Sequence, residues 1–228
     1  LSPMKTIRVD PDRQVVEAGP GVLWGELDAA TQAHGLATTG GEVSDTGIAG
    51  LTLGGGCGWL KRICGLACDN LLSVDMVTTT GEVVRAGEDE HPELFWGLRG
   101  GGGNFGVVTR FEYRLHRVGP TVLAGPLLYP MERAHDVLAL AREHWDQVPD
   151  EVSMAVALIT APPAPFVPAE LQGQPAAVLS LAHLGRVEDG PDALADLRSA
   201  IPPAVDLVAP MPYVDLQQAV DAPNPRGM

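Results

Sequence analysis

Gly41-Glu42-Val43-Ser44-Asp45-Thr46-Gly47-Ile48-Ala49-Gly50-Leu51-Thr52-Leu53-Gly54-Gly55-Gly56-Cys57-Gly58-Trp59-Leu60 is the stretch on which the reading of this chain turns. From Ala37 to Gly58 it shows neither the period of a strand nor that of a helix, so it reads as a shaped loop. A second glycine cluster runs from Gly97 to Gly106, and Gly101-Gly102-Gly103-Asn104-Phe105-Gly106 satisfies G-x-G-x-x-G. A dinucleotide-binding reading of that motif needs a strand before it and a helix after it. Here a helix precedes and a strand follows, so NAD binding by that route is rejected. No G-x-x-x-x-G-K-[ST] occurs, which removes a P-loop nucleotide hydrolase. Backbone without Cβ atoms can still approach a ligand closely and turn successive N–H groups onto phosphate oxygens. The competing reading is that these glycines only make tight turns and bulges.

Composition narrows the classes. The 228 residues are 45% apolar and 19% charged, the balance of a globular chain with room for one large domain or two small ones. The formal net charge of −14 argues against nucleic acid and anionic membrane surfaces as partners. No stretch is apolar for long enough to span a bilayer. Cys57, Cys64 and Cys68 fit neither a disulfide framework nor a zinc pattern; they read as small buried thiols, and no metal is expected. The odd cysteine count and the lack of a leader favour a cytoplasmic setting. Leu1-Ser2-Pro3-Met4 and residues 221–228 read as the inside of a longer chain cut at both ends.

Residues 6–10 and 14–18 read as a hairpin, followed by a helix over 24–34 with Leu23, Leu27, Ala30 and His34 on one face. Residues 71–79 and 83–85 bracket Thr80-Gly81-Glu82 as a second hairpin. A short helix covers 92–98, and strict alternation from Val107 to His116 marks the clearest strand. Val118-Gly119-Pro120 is a seam. Beyond it, strands over 121–129, 152–160, 176–184 and 205–208 alternate with helices over 131–148, 192–200 and 213–220, and a proline-rich loop fills 161–175. Helix 131–148 should bury Ala134, Val137, Leu138, Ala141, Trp145 and Val148. The fold class is α+β, its second half an antiparallel or mixed sheet with helices on one face.

The quoted stretch resembles the flavin-binding loop of FAD-linked oxidases, the vanillyl-alcohol-oxidase or PCMH-type family, and in particular its berberine-bridge-enzyme-like branch. Gly65-Leu66-Ala67-Cys68-Asp69-Asn70-Leu71-Leu72 and then Asn104-Phe105-Gly106-Val107-Val108 keep that family's order and spacing. The resemblance covers Leu1 to about Gly119 and weakens after it. It implies that residues 1–119 are the second subdomain of a PCMH-type FAD-binding domain. Residues 120–228 would then be part of a substrate domain, an antiparallel sheet with helices. It implies FAD as cofactor and a small-molecule substrate. The FAD contacts it implies are Ser44, Asp45, Thr46, Gly47, Ile48, Gly50, Leu51, Gly54, Gly56 and Gly58, the turn Asp69, Asn70 and Leu71, and the strand start Gly106, Val107 and Val108. The implied reaction moves a hydride from a substrate C–H to the flavin, which O2 then reoxidises.

The chain also departs from the family. The histidine that often bonds the flavin covalently would lie upstream of Leu1, and the cysteine of doubly linked members falls at Val43, so no covalent link is readable. The family's tyrosine-rich catalytic stretch and its closing Asn-Tyr pair would fall after Met228, leaving the catalytic residues unknown. Tyr113 and Tyr129 read as strand packing, and His135 and His144 as solvated. Two rival readings stay open at this level: a non-catalytic flavin-binding fragment, and an α+β interaction module with glycine-rich loops.

Overall fold

The computed structural model describes residues 1–222 and Asn224, so most of the expectation for 221–228 lies outside the described residues. The chain forms two compact units: residues 1–120 together with the chain from Tyr213, and Thr121–Pro212.

In the first unit, β1 (Ile7–Asp10) and β2 (Val15–Ala18) form the expected hairpin. Helix α1 follows at Trp24–Gln32, then β3 (Leu36–Ala37), α2 (Ile48–Leu53) and α3 (Lys61–Cys64). Strands β4 (Leu71–Thr78) and β5 (Val83–Gly87) make the second hairpin, with Gly81 in the left-handed region at the turn (φ 84°). Helix α4 (Pro92–Leu98) and a 3-10 turn at Gly102–Phe105 lead into β6 (Gly106–Arg114) and the short β7 (His116–Arg117). The order β1-β2-β6-β4-β5 is antiparallel throughout, and β3 pairs with β7 apart from it.

Alternation decides the faces of this sheet. Val16, Ala18, Val74, Met76, Phe111 and Tyr113 point into a core shared with Trp24 and Leu27 of α1, Ile48 of α2 and Phe95 of α4. The opposite face carries a ladder of charges. Arg110 pairs with Asp75 at 2.6 Å and with Glu17 at 2.9 Å, and Arg85 with Glu112 at 2.8 Å. Because α1 buries Trp24, Leu27, Asp28 and Thr31, its inner stripe sits beside the one expected, and His34 is exposed.

The second unit is a sheet of order β11-β8-β10-β9 with all pairs antiparallel. It is built from β8 (Thr121–Pro130), β9 (Val152–Thr160), β10 (Pro175–His183), β11 (Val205–Asp206) and β12 (Ala209–Pro212), the last also pairing with β8. Helix α5 (Ala134–His144) covers one face with Val137, Leu140 and Ala141, joined by Leu197 of α7 (Ala195–Ser199). A short α6 (Gly190–Ala193) precedes α7, so the single helix expected over 192–200 is two helices broken at Leu194. The helix expected over 131–148 is also shorter: it opens with a 3-10 turn and ends at His144, leaving Leu138 and Trp145 partly exposed. The last helix, α8 (Tyr213–Gln217), packs on α1 and so leaves the domain expected for 120–228. Gln217 Nε2 donates to Asp28 Oδ2 at 3.1 Å across 189 residues of sequence, a link no local pattern announces.

Candidate functional site: two glycine-rich segments on one sheet

The stretch from Ser44 to Ile48 is zipped to the start of α1. Trp24 N–H donates to Thr46 O at 3.0 Å, Gly25 N–H to Ser44 O at 2.8 Å, and Ile48 N–H to Val22 O at 3.0 Å. The expected structureless loop therefore contains a helix: α2 forms because Ile48, Thr52 and Leu53 present a buried stripe while Gly47, Gly50 and Gly54 face outward. Thr52 Oγ1 meets Tyr113 Oη at 2.8 Å, tying α2 to β6. Tyr113 is fully buried, and desolvation holds its phenol well above the usual range, which suits a packing role.

Helix α2 also lies against the 3-10 turn Gly102–Phe105, so the two glycine clusters, half the unit apart in sequence, adjoin where the chain enters β6, the middle strand of the sheet. Helix α4 supports the turn: Phe105 lies over Gly97 and Gly101, and Asn104 Nδ2 donates to Gly101 O at 2.8 Å. The G-x-G-x-x-G run does follow a helix and open a strand.

The glycines divide into two kinds. Some are dictated by the chain. A Cβ on Gly58 would sit 2.1 Å from Gly40 O, and one on Gly106 (φ 143°) 2.3 Å from Val77 O. Gly56 likewise abuts Ala67 and Leu51. Others are not: among the described residues, nothing lies within 4 Å of a Cβ on Gly47, Gly50 or Gly103, all three exposed and none at positive φ. No contact among the described residues requires their bareness, and it leaves accessible main chain on both segments, open to the close approach of a ligand.

The remaining expected contacts spread over the same region with different exposures. Asp45 and Thr46 are half-buried, Gly54 and Asp69 exposed, and Val107 47% exposed. Ile48, Leu71 and Val108 point into the core, and Leu51 packs against it, so any contact from them must come through the backbone. Asn70 is wholly engaged inside the protein. Its Nδ2 donates to Cys64 O (2.9 Å) and Leu66 O (2.8 Å), and its Oδ1 meets His116 Nε2 at 2.6 Å. Burial lowers the pKa of His116, so the neutral ring donates this bond. Ser44 is engaged too: its N–H and Oγ donate to the two carboxylate oxygens of Asp221 at 2.8 and 2.5 Å.

Sequence reasoning passed over Thr38 and Trp59. Thr38 Oγ1 and Trp59 Nε1 are buried without a hydrogen-bond partner among the described residues, and they flank the Gly40–Gly58 contact in sequence. An unpaired buried polar group costs about 1–3 kcal/mol, which a polar ligand beside it would relieve. The only signal in the sequence was their closeness to Gly40 and Gly58, two residues after Thr38 and directly before Trp59. Cys64 and Cys68 are not poised for nucleophilic chemistry: burial pushes Cys64 to about 11 and raises Cys68 as well. Cys57 departs from expectation, being exposed on the loop itself. Bare main chain on two adjoining segments and unpaired buried donors both fit FAD, a long and largely planar cofactor with a diphosphate.

Residues 1–87 match the family described as FAD binding domain. An FAD-linked oxidoreductase of Dictyostelium discoideum is 35% identical over the whole of this chain and 48% of its own length. The (R)-6-hydroxynicotine oxidase of Paenarthrobacter nicotinovorans is 32% identical over 92% of this chain and 44% of its own. Among solved structures, 6-hydroxy-D-nicotine oxidase from Arthrobacter nicotinovorans superposes with a TM-score of 0.84 at 29% identity, covering 100% of this chain and 49% of that one. The berberine-bridge-enzyme-like protein 1 of Physcomitrella patens shares the fold at TM-score 0.82 and 24% identity, over 100% and 47%. The chain thus spans about half the length of these relatives. With the resemblance, the fold and the site agreeing, the chain carries an FAD binding domain of the kind found in FAD-linked oxidoreductases.

Proposed function

We propose that the protein is an FAD-dependent oxidase acting on a small molecule, and that Ser44–Gly58 and Gly101–Val108 form one side of the flavin cradle. The observation that carries this is the placing of α2 against Gly102–Phe105, which brings exposed, unencumbered glycines from both segments close together at the start of β6. When bound, the flavin would supply the electron chemistry, taking up a hydride equivalent from a substrate C–H. The chain's own residues bind and orient. The main chain at Gly47, Gly50, Gly54 and Gly103 offers close approach; Asp45, Thr46 and Asp69 line the rim; Val107 gives an apolar contact. Asn70, Gly56, Gly58 and Gly106 hold the shape. Residues 1–119 serve the cofactor, and the sheet of Thr121–Pro212 belongs to the substrate side.

Proton transfer has no evident agent among the three tyrosines. Tyr113, Tyr129 and Tyr213 are buried, and desolvation raises each of them, Tyr129 to about 12. Net charge of −14 supports a small-molecule partner over nucleic acid.

The test is colour and turnover. Full-length protein purified in air is expected to show the visible absorption of flavin, or to gain it with added FAD. It should bleach anaerobically with some member of a panel carrying oxidisable C–H bonds next to oxygen or nitrogen. No flavin uptake overturns the reading; uptake without bleaching by any candidate favours a non-catalytic flavoprotein.

A further inference from the structure

The family resemblance implies Ser44 as a cofactor contact, yet both its donors meet Asp221. Amide N–H to Oδ1 measures 2.8 Å and hydroxyl to Oδ2 2.5 Å, so one carboxylate clasps one residue through two bonds. The carbonyl of Ser44 is fixed from the other side by Gly25 N–H at 2.8 Å. With Asp221 removed, the amide and hydroxyl of Ser44 would lose the bonds that orient them, at the point where the chain turns toward Gly47 and α2. The approach of Asp221 is itself held. Gln217, four residues earlier and 2% exposed, donates through Nε2 to Asp28 Oδ2 at 3.1 Å and to Gly41 O at 3.4 Å. Tyr213 N–H donates to Pro120 O at 2.9 Å. The segment from Tyr213 to Asp221 therefore touches residues 41 and 44, on the threshold of the glycine-rich loop, from a position 170 or more residues later in the chain.

We propose that Asp221 is a positioning residue for the flavin loop: through Ser44 it fixes the conformation of residues 44–47 that admits the cofactor, without touching the cofactor itself. The proposal rests on the flavin reading above. It moves Ser44 from ligand to relay, and it assigns the segment after the second unit a task in the first.

The experiment is a double-mutant cycle on FAD affinity in the full-length protein, read by flavin fluorescence on titration, with amide exchange of residues 44–47 followed in the cofactor-free protein. Asp221→Ala and Ser44→Ala should each weaken FAD by about tenfold, the size expected for loss of charge-assisted bonds at a half-buried site. The double variant should be no weaker than the weaker single one. Asp221→Asn, whose amide oxygen still accepts from Ser44 N–H, should recover most of the affinity, and exchange should quicken at 44–47 in the alanine variants before any FAD is added. Should Asp221→Ala not fold, Ser44→Ala against Asp221→Asn decides the same point. Unchanged or tighter FAD binding in the alanine variants, or losses that simply add, overturns the inference while leaving the flavin reading intact. Failure of the wild type to take up FAD overturns both.

Discussion

Gly50 and Gly58 lie eight residues apart in one loop, and the structure gives their replacement by alanine opposite consequences. Gly50 sits inside α2, exposed, with an ordinary helical φ and nothing within 4 Å of a Cβ placed on it. In such a position glycine costs about 0.5–1 kcal/mol relative to alanine, because it has more backbone freedom to lose on folding. Gly50→Ala should therefore stabilise the cofactor-free protein, raising Tm by about 1–4 °C at the roughly 2–4 °C per kcal/mol typical of chains this long. If the open space beside Gly50 is where the flavin lies, the same methyl group intrudes on a close-packed contact. Overpacking of that kind costs about 1–3 kcal/mol, or roughly 5- to 150-fold in FAD affinity. Gly58→Ala differs, since its Cβ would fall 2.1 Å from Gly40 O and the main chain must move. It should lower Tm by several degrees with or without FAD. Thermal melts of the cofactor-free proteins and fluorescence titration with FAD separate the two effects. Gly50→Ala that gains stability and binds FAD as well as wild type would refute the placement of the cofactor; Gly50→Ala that loses stability would refute the account of α2.

Three further outcomes follow from the same packing. Burial raises Asp28 from 3.8 to about 7, opposed by the bond from Gln217. The folded state thus binds a proton more tightly than the unfolded chain, and stability declines as pH rises from about 4 to 7. Three pH units at 1.36 kcal/mol each make about 4 kcal/mol, so Asp28→Asn should overtake wild type progressively across that window in urea melts, and a constant difference between pH 4 and 8 would contradict this. Asn70→Ala strips the bonds to Cys64 O, Leu66 O and His116 and should cost about 3 kcal/mol in the same assay, with less than 1 pointing to a looser turn than the structure shows. The bond from Arg110 holds the Asp75 carboxyl below its usual range, a stabilisation present at neutral pH and lost as pH falls. Asp75→Asn should flatten the acid limb of the stability profile, and an unaltered limb would show that the charge ladder is idle.

Much of this fold could be read locally because alternation and turns are local. Val107–Arg114 alternates core and charge, Pro92–Leu98 opens with proline and acid, and both hairpins announce themselves at Asp10-Pro11-Asp12 and Thr80-Gly81-Glu82. What escaped depends on distant partners. Helix α2 has six residues hemmed by glycine, and its buried stripe of Ile48, Thr52 and Leu53 has meaning only against β6. Strand β12 carries two prolines and pairs solely through β8. Helix α8 follows the second unit in sequence but is drawn to the first by Gln217 and Tyr213. The flavin loop was legible as composition and spacing. Which glycines shape the loop and which lie open was not, since that depends on atoms such as Gly40 O and Ala67 Cβ, which only folding brings near.

The central claim is that the two glycine-rich segments face a single flavin. Hydrogen exchange of the full-length protein with and without saturating FAD tests it most directly. Amides in Ser44–Gly58 and in Gly101–Val108 should slow together on binding, with those of β9 and β10 unchanged. Protection confined to one segment, or absent from both while FAD is bound, would contradict it.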